Sequence, residues 1–158
     1  MNRRRSSVWA LLACCVVPLL AACENSATAF RQEGRNHAIM LVREQPYFWS
    51  EKIDQYIVAS NLPDCQRRVR IYPGTKPLME MRVYWAGDHL WALHQGRRWY
   101  LVSTAPRCQV QDWDNEEGKE PGALLGRFVW SKTENAPVFV EEKAAAPAPE
   151  GQPAAPAS

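Results

Sequence analysis

The stretch LMEMRVYWAGDHLWALHQGRRWYLVST, residues 78–104, decides the fold. Apolar and polar side chains alternate over residues 78–86, which is typical of a half-buried β-strand. Gly87 and Gly96 divide the stretch into three segments short enough to be strands joined by tight turns. The stretch therefore predicts a three-stranded antiparallel meander. One face of its first strand carries Met79, Met81, Val83 and Trp85.

Two-residue turns at residues 87–88 and 95–96 would fix the register of this meander. Counting outward from them pairs Tyr84 with Trp91 and Trp91 with Tyr100, so one sheet face carries an aromatic ladder flanked by arginines. Such a face is able to stack on sugars, peptides or lipid head-groups. The candidate binding residues are Tyr84, Trp91, Tyr100, Arg82 and Arg98. The opposite face, expected to be core, carries Val83, Ala92, Trp99, Trp85, Leu90 and Leu101.

Other interpretations of this aromatic face stay open. Cross-strand aromatic pairs also stabilise a sheet by roughly 0.2 to 1 kcal/mol each without binding a ligand, and a further layer of the fold could cover the face. A three-residue turn over residues 95–97 would reverse the third strand, because a shift of one residue turns a strand over.

Further short segments on both sides of the meander are rich in branched and aromatic residues, and prolines and glycines separate them. These segments are residues 37–43, 55–59, 67–72, 107–111, 127–132 and 138–140, and residues 53–60 also fit a short helix. Short strands with frequent turn signals predict a mainly β fold, a small antiparallel β-sandwich or a partly open barrel. We expect this globular domain over residues 30–142.

The N-terminal segment, residues 1–22, has the layout of a secretion signal. Arg3, Arg4 and Arg5 precede an uncharged, mostly apolar run that is shorter than the roughly 20 residues a membrane-spanning helix needs. The run ends in Leu20-Ala21-Ala22-Cys23, and here the sequence resembles the lipobox of bacterial lipoproteins. An ordinary signal peptide and a membrane anchor are the alternatives.

The resemblance to bacterial lipoproteins implies cleavage before Cys23, a diacylglyceryl group on its thiol and an acyl chain on the freed amine. Several acyl chains give firm anchoring, because each buried methylene contributes about 0.8 kcal/mol. Residue 24 is Glu, whereas Asp at this place resembles an inner-membrane retention signal. We therefore expect an exported lipoprotein of the cell envelope, on the periplasmic face of the outer membrane.

The expected cleavage and lipidation divide the five cysteines into three groups. Cys14 and Cys15 leave with the signal, Cys23 carries lipid, and Cys65 and Cys108 remain. Two cysteines in an oxidising compartment predict one disulfide. Free buried thiols and a metal pair are the alternatives, and the second lacks the ligand spacing of a zinc site.

Charge gives no argument for a nucleic-acid partner. Three of the nineteen basic residues lie in the signal, which leaves sixteen basic against seventeen acidic residues. We expect the basic cluster at Arg67, Arg68 and Arg70 to pair with the acidic C-terminal half. Binding of phosphate-bearing lipids or of an acidic partner is the alternative.

Two segments flank the domain. Residues 23–29 are expected to form a short lipidated leash. Residues 143–158 are rich in Ala and Pro and contain no large apolar side chain, so we expect a disordered tail, either a semi-rigid spacer or a segment without a function.

No pattern in the sequence marks a catalytic or metal site. Residues 112–117 resemble a calcium-binding loop only in part, since Glu117 stands where that loop requires Gly and Ala123 where it requires Glu. A solvated acidic loop is the better interpretation. Because the chain also lacks a nucleophile elbow and a phosphate-binding loop, we assign no catalytic residue, metal or cofactor.

The leading hypothesis is a non-enzymatic accessory or interaction protein anchored in a membrane by lipid. A glycan or small-ligand binding module that uses the aromatic face is one alternative, and a hydrolase of envelope polymers is another. The expected partners are the membrane, through the lipid, and an envelope protein or glycan.

Substitution Cys23→Ala is expected to abolish incorporation of radiolabelled palmitate, because it removes the thiol that would accept lipid. The measurement is labelling of the full chain in a bacterial host, with Cys15→Ala as a control that keeps its label. Undiminished labelling of the Cys23→Ala protein would show that the lipobox interpretation is wrong.

Overall fold

The computed structural model describes residues 24–32 and 36–142, and the regular structure in these ranges consists of ten β-strands. No transmembrane helix is found in that part of the chain. The strands are, in chain order, β1 (Asn25–Gln32), β2 (His37–Glu44), β3 (Lys52–Asn61), β4 (Cys65–Thr75), β5 (Met81–Gly87), β6 (Leu90–Gln95), β7 (Arg98–Ser103), β8 (Gln109–Trp113), β9 (Leu124–Ser131) and β10 (Ala136–Glu141).

The strands form two antiparallel sheets. One sheet has the order β1-β2-β3-β4 and the other the order β10-β9-β5-β6-β7-β8. The sheets do not close into a barrel, so the prediction of a mainly β antiparallel fold is confirmed in its sandwich form. Residues 53–60, which also fitted a short helix, lie in β3, where they pair with β2 on one side and β4 on the other.

The hydrophobic core lies between the sheets. Alternate residues of the central strands point into it, as the two-residue period of a β-strand requires. Burial of each such side chain contributes about 1.5 to 3 kcal/mol. The core includes Ile39, Leu41, Ile57 and Ile71 from the four-stranded sheet, and Met81, Val83, Leu93, Tyr100, Val102 and Phe128 from the six-stranded sheet.

The two sheets are joined near both lateral edges. At one edge, Cys65 at the start of β4 forms a disulfide with Cys108 just before β8, with an S–S distance of 2.07 Å. At the other edge, the hydroxyl of Thr28 in β1 donates a hydrogen bond to the carbonyl of Pro137 in β10 (2.9 Å). The predicted disulfide is confirmed. It fixes the distance between the two sheets at the edges that β4 and β8 form.

Residues 25–29, expected to belong to a leash, are part of the fold. They form the first five residues of β1, which pairs with β2 along its whole length. Exposed residues alternate here with the more buried Ser26, Thr28 and Phe30. The strand therefore covers part of the core, although most of its side chains are small. The domain therefore begins five residues before the predicted boundary.

The predicted meander is present as β5, β6 and β7, but its first turn begins one residue later, at Asp88. A β-bulge just before this turn takes up the extra residue. Because a shift of one residue turns a strand over, Tyr84 pairs with Ala92 and not with Trp91. The predicted Tyr84–Trp91 pair is wrong, and Tyr84 points away from the main core.

The second turn also lies one residue later than predicted, at residues 96–97. Gly96 takes the first turn position with φ +64°, the left-handed conformation that two-residue hairpin turns require. The predicted Trp91–Tyr100 pair is wrong, since Trp91 pairs with Val102 and Tyr100 with Leu93. Both aromatic side chains remain on one face, but that face is the inner one, where they are 3% and 1% exposed.

The outer face of the six-stranded sheet is covered near Tyr84. The hydroxyl of Tyr84 donates a hydrogen bond to Glu120 (3.0 Å), in the connection from β8 to β9. A further layer therefore does cover this part of the sheet, as one of the alternatives expected. A small cluster of buried side chains results, made of Tyr84, Ala92 and Trp99. The residues expected together as core are thus divided, with Val83 in the main core and Ala92 and Trp99 in this cluster.

Two arginines of the basic cluster pair within their own sheet. Arg68 forms an ion pair with Glu44 (2.8 Å), and Arg70 forms one with Asp54 (2.5 Å). The expected pairing with the acidic C-terminal half is wrong for both, because β2 and β3 already bring carboxylates to this face. The pairs are largely exposed, so each contributes at most about 1 kcal/mol.

Removal of the disulfide by Cys65→Ser with Cys108→Ser is expected to lower the free energy of unfolding by about 4 kcal/mol, because the unfolded chain regains the entropy of a loop with separation 43. Urea unfolding of the full chain, followed by tryptophan fluorescence, measures the loss. The reduced wild-type protein is the control and should unfold at the same urea concentration as the variant. An unfolding midpoint equal to that of the oxidised wild type would contradict the expected role of the bond.

Candidate functional site

A cleft of about 560 Å³ lies between the end of β4 and the β6–β7 turn. This volume is within the range of about 300 to 1,000 Å³ that ligand-binding pockets in proteins have. The two walls come from different sheets, so the cleft lies at the open side of the sandwich. Its lining residues are Tyr72, Pro73, Gly74, Thr75, Met79, Gln95, Gly96, Arg97 and Arg98.

A β-bulge in β4 shapes the first wall. Ile71 pairs with Gln55 and Gly74 with Ile53, which leaves two residues of β4 opposite one residue of β3. Tyr72 is one of the two and is more than half exposed. Gly74 packs directly on the amide group of Gln55, where a Cβ atom would lie 2.7 Å from it. The bulge and this close approach together turn the end of β4 toward the cleft.

The edge position of β4 explains why Pro73 is tolerated there. Proline has no amide hydrogen and is found in sheets on edge strands and at bulges. The neighbouring amide of Tyr72 donates a hydrogen bond to the hydroxyl of Tyr100 (3.4 Å). This part of the edge therefore offers few free donors for the addition of another strand, and a ligand would be recognised mainly by side chains.

The β6–β7 turn forms the second wall. Gln95 pairs with Arg98 across the turn, and the side-chain amide of Gln95 donates a hydrogen bond to the carbonyl of Met79 (2.9 Å). This bond holds the chain before β5 against the turn and keeps Met79 at the rim, where it is more than half exposed. Met79 supplies an adaptable apolar surface beside the two arginines of the turn.

Arg98 lies over the ring of Tyr72, with its guanidinium carbon 4.0 Å from the ring centroid. Such a cation–π contact orients the guanidinium, and an exposed one contributes about 0.5 to 1 kcal/mol. Across the described ranges, neither Arg97 nor Arg98 forms an ion pair. The cleft thus combines two uncompensated cations with an exposed aromatic ring and an exposed methionine.

Buried tyrosines lie near both faces of the six-stranded sheet. Burial raises the pKa of Tyr100, and the amide of Tyr72 and the charge of Arg98 oppose the rise. Burial also raises the pKa of Tyr84, and the hydrogen bond from Arg82 opposes it while Glu120 adds to it. Both hydroxyls are therefore held in the protonated form. The hydroxyl of Tyr84 donates a hydrogen bond to Glu120, and that of Tyr100 accepts one from the amide of Tyr72.

The five candidate binding residues do not share one surface. Trp91 and Tyr100 lie in the main core, and Tyr84 lies in the outer cluster. Arg82 is exposed and donates a hydrogen bond to Glu80 (2.7 Å), which raises the pKa of the guanidinium. Arg98 alone of the five lines the cleft.

Sequence reasoning missed Tyr72, Met79 and Arg97 as site residues. Tyr72 stood at the end of a recognised alternating segment, directly before a Pro-Gly pair that signals a break in the strand. Met79 was expected on the same face as Val83, but it precedes β5 and lies at the surface. The signal available was the double arginine after Gly96, since a turn exposes the side chains that follow it.

The remaining predicted sites lie away from the cleft or outside the described residues. Cys23 lies outside the described residues. Among the residues that the structure describes, no group of three or more His, Cys, Asp or Glu side chains could hold a metal ion. Glu120, which lies between the two loop positions compared above, accepts the hydrogen bond from the hydroxyl of Tyr84.

Comparison of the chain with family models, with curated proteins and with solved structures gave no match.

The raised pKa values of Tyr84 and Tyr100 predict a loss of stability at high pH. The unfolded chain releases these protons near pH 10, whereas the folded chain keeps them to a higher pH, so their contribution is complete below pH 10 and falls as the pH rises through the folded values. Urea unfolding between about pH 9 and pH 11 should show a shallower decline for Tyr84→Phe with Tyr100→Phe than for the wild type. Lysines and arginines are common to both proteins, so their effect cancels. Equal slopes would contradict the assignment.

Proposed function

We propose that the protein is a membrane-anchored lipoprotein of the cell envelope that acts as an interaction protein and binds an acidic segment of a partner protein in the cleft. The observation that carries the proposal is the cleft itself, in which Arg97 and Arg98 have no acidic partner among the described residues and Arg98 lies over the exposed ring of Tyr72. Uncompensated arginines at a rigid concave surface favour an anionic ligand.

Two features support the envelope location. The disulfide between Cys65 and Cys108 is the kind of bond that forms and persists in oxidising compartments. The sequence Leu20-Ala21-Ala22-Cys23 resembles a lipobox, and β1 begins two residues after Cys23. A lipid on Cys23 would therefore be attached almost directly to the folded domain.

The chemistry of the cleft supports a ligand that is acidic and partly apolar. A guanidinium can hold a carboxylate through two parallel hydrogen bonds, and such charge-assisted bonds are about twice as strong as neutral ones. The contact of Arg98 with Tyr72 already orients one guanidinium for this role. Met79 and the free part of the Tyr72 ring would cover an apolar side chain next to the carboxylate.

The cleft favours a protein segment over a ligand stacked on the sheet. The aromatic face that suggested a glycan site consisted of Tyr84, Trp91 and Tyr100, and all three side chains are at most 3% exposed. A ligand has no access to these rings in the folded protein. Tyr72 contributes a single ring at the rim of a cationic cleft. This arrangement suits an acidic side chain with an apolar side chain next to it.

Photo-crosslinking in the native envelope tests the proposal. With p-benzoylphenylalanine in place of Met79, the full chain should form one discrete adduct with a protein. Charge reversal by Arg97→Glu with Arg98→Glu should reduce the adduct about tenfold or more, because each lost charge-assisted hydrogen bond contributes about 1.5 to 3 kcal/mol. Added salt should also reduce it, since exposed charges are screened.

The matched control is charge reversal at two exposed residues outside the cleft, Arg67→Glu with Lys132→Glu. This variant has the same change in net charge and should keep the adduct. An adduct of equal yield in the Arg97/Arg98 variant would contradict the proposal, and so would crosslinking only to glycan or phospholipid.

A further inference from the structure

Three consecutive aromatic residues form an exposed tip on the connection between β2 and β3. Tyr47, Phe48 and Trp49 are each more than half exposed, and their rings pack on one another. The Tyr47 and Trp49 rings stack with centroids 5.2 Å apart, and Phe48 meets Trp49 edge-on at 4.5 Å. We call these three residues the aromatic tip. A soluble protein exposes single large aromatic residues without consequence, but a contiguous group marks an interaction surface.

The aromatic tip is held in a defined conformation. The buried side chain of Gln45 donates hydrogen bonds to the carbonyls of Phe48 (3.1 Å) and Ser50 (2.8 Å). The amide of Ser50 donates to the carbonyl of Tyr47 (2.9 Å). Because the loop is already ordered by these bonds, its exposed rings would lose little further freedom on contact with a partner.

The same glutamine ties the aromatic tip to the start of the described chain. The amide of Gln45 donates to the carbonyl of Glu24 (2.8 Å), and the amide of Glu24 donates to the side-chain oxygen of Gln45 (3.1 Å). The carboxylate of Glu24 pairs with the fully buried Arg43, which also donates to the carbonyl of Thr75 (2.8 Å). Glu24 is thus fixed in place beside the loop that carries the three rings.

Residue 23 is bonded directly to this fixed Glu24. One residue spans at most about 3.6 Å, so any lipid on Cys23 enters a bilayer next to the aromatic tip. No spacer separates them, because β1 begins at Asn25. A membrane that holds the acyl chains is therefore the surface closest to the three exposed rings.

We propose that the aromatic tip is a second membrane anchor, which inserts Tyr47, Phe48 and Trp49 among the phospholipid head-groups of the leaflet that holds the acyl chains of Cys23. The inference rests on the proposed lipoprotein function and adds an orientation to it. Tryptophan and tyrosine favour the membrane interface, where the apolar part of the ring is buried and its polar group stays wet. Nearby charges are mixed, with Lys52 and Lys76 against Glu51, so the rings and not the charges carry the contact.

Quenching of tryptophan fluorescence by brominated lipids tests this anchor in the full acylated protein. The protein is purified from membranes and reconstituted in vesicles of phosphatidylethanolamine and phosphatidylglycerol, with and without bromine on the acyl chains. Quenching by the brominated vesicles is expected in the wild type and should be lost in Trp49→Phe. Trp85→Phe removes another partly exposed tryptophan and should leave the quenching unchanged.

A crosslinking measurement separates lipid from protein as the occupant. With p-benzoylphenylalanine at position 49, native membranes should give an adduct with the mass of a phospholipid. The same crosslinker at Leu62 is the control, since this residue is similarly exposed but lies beyond the opposite end of β3. Mass spectrometry of the N-terminal peptide from the same sample reports whether Cys23 is acylated.

The outcomes distinguish the two proposals. If Cys23 is acylated and position 49 yields only protein adducts or none, the aromatic tip is not a membrane anchor, while the lipoprotein function stands. If Cys23 carries no lipid, the lipoprotein function fails and the inference fails with it. Equal quenching in Trp49→Phe and wild type would also overturn the inference.

Discussion

The disulfide between Cys65 and Cys108 is the constraint on which the site depends. It joins the start of edge strand β4 to the chain just before β8, so it links one sheet to the other at the end of β4 opposite the cleft. The loop that it closes contains β4, β5, β6 and β7, and therefore both walls of the cleft. Without this bond, core packing and non-covalent contacts such as those of Tyr72 with Tyr100 and Arg98 would hold the two walls together. A domain of this size has a net stability of about 5 to 15 kcal/mol, so the bond is a large part of it.

The end of the four-stranded sheet nearest Glu24 is unusual because its inner face is polar. Ser26, Arg43 and Gln55 lie side by side across β1, β2 and β3. In the described part of the chain, several of their buried polar atoms lack a hydrogen-bond partner, including both amide atoms of Gln55. Each such atom costs about 1 to 3 kcal/mol. The arrangement therefore reduces stability, but it fixes the beginning of the domain through the Arg43–Glu24 pair.

The fold class and the disulfide could be predicted because both depend on local or countable features of the sequence. Alternation identified most strands, and the two cysteines that follow the expected signal and lipidation site left one pairing. The register of the meander could not be predicted, because Gly87 and Gly96 each fit two positions in a tight turn. A shift of one residue in the first turn moved Tyr84 to the other face of the sheet. β1 was missed because Ser26 and Thr28 carry little hydrophobic signal. The cleft joins Tyr72 to Arg98 across two sheets, and only Arg98 had been singled out.

The contact of Arg43 with the carbonyl of Thr75 links the N-terminal end of the domain to the rim of the cleft. Only three strand spacings, about 14 Å in all, separate β1 from β4 across the sheet. A lipid attached before Glu24 would therefore hold the cleft at a low and nearly constant height above the bilayer. Partners that diffuse far from the lipid surface would rarely meet it, and those confined to the layer next to the membrane would meet it often.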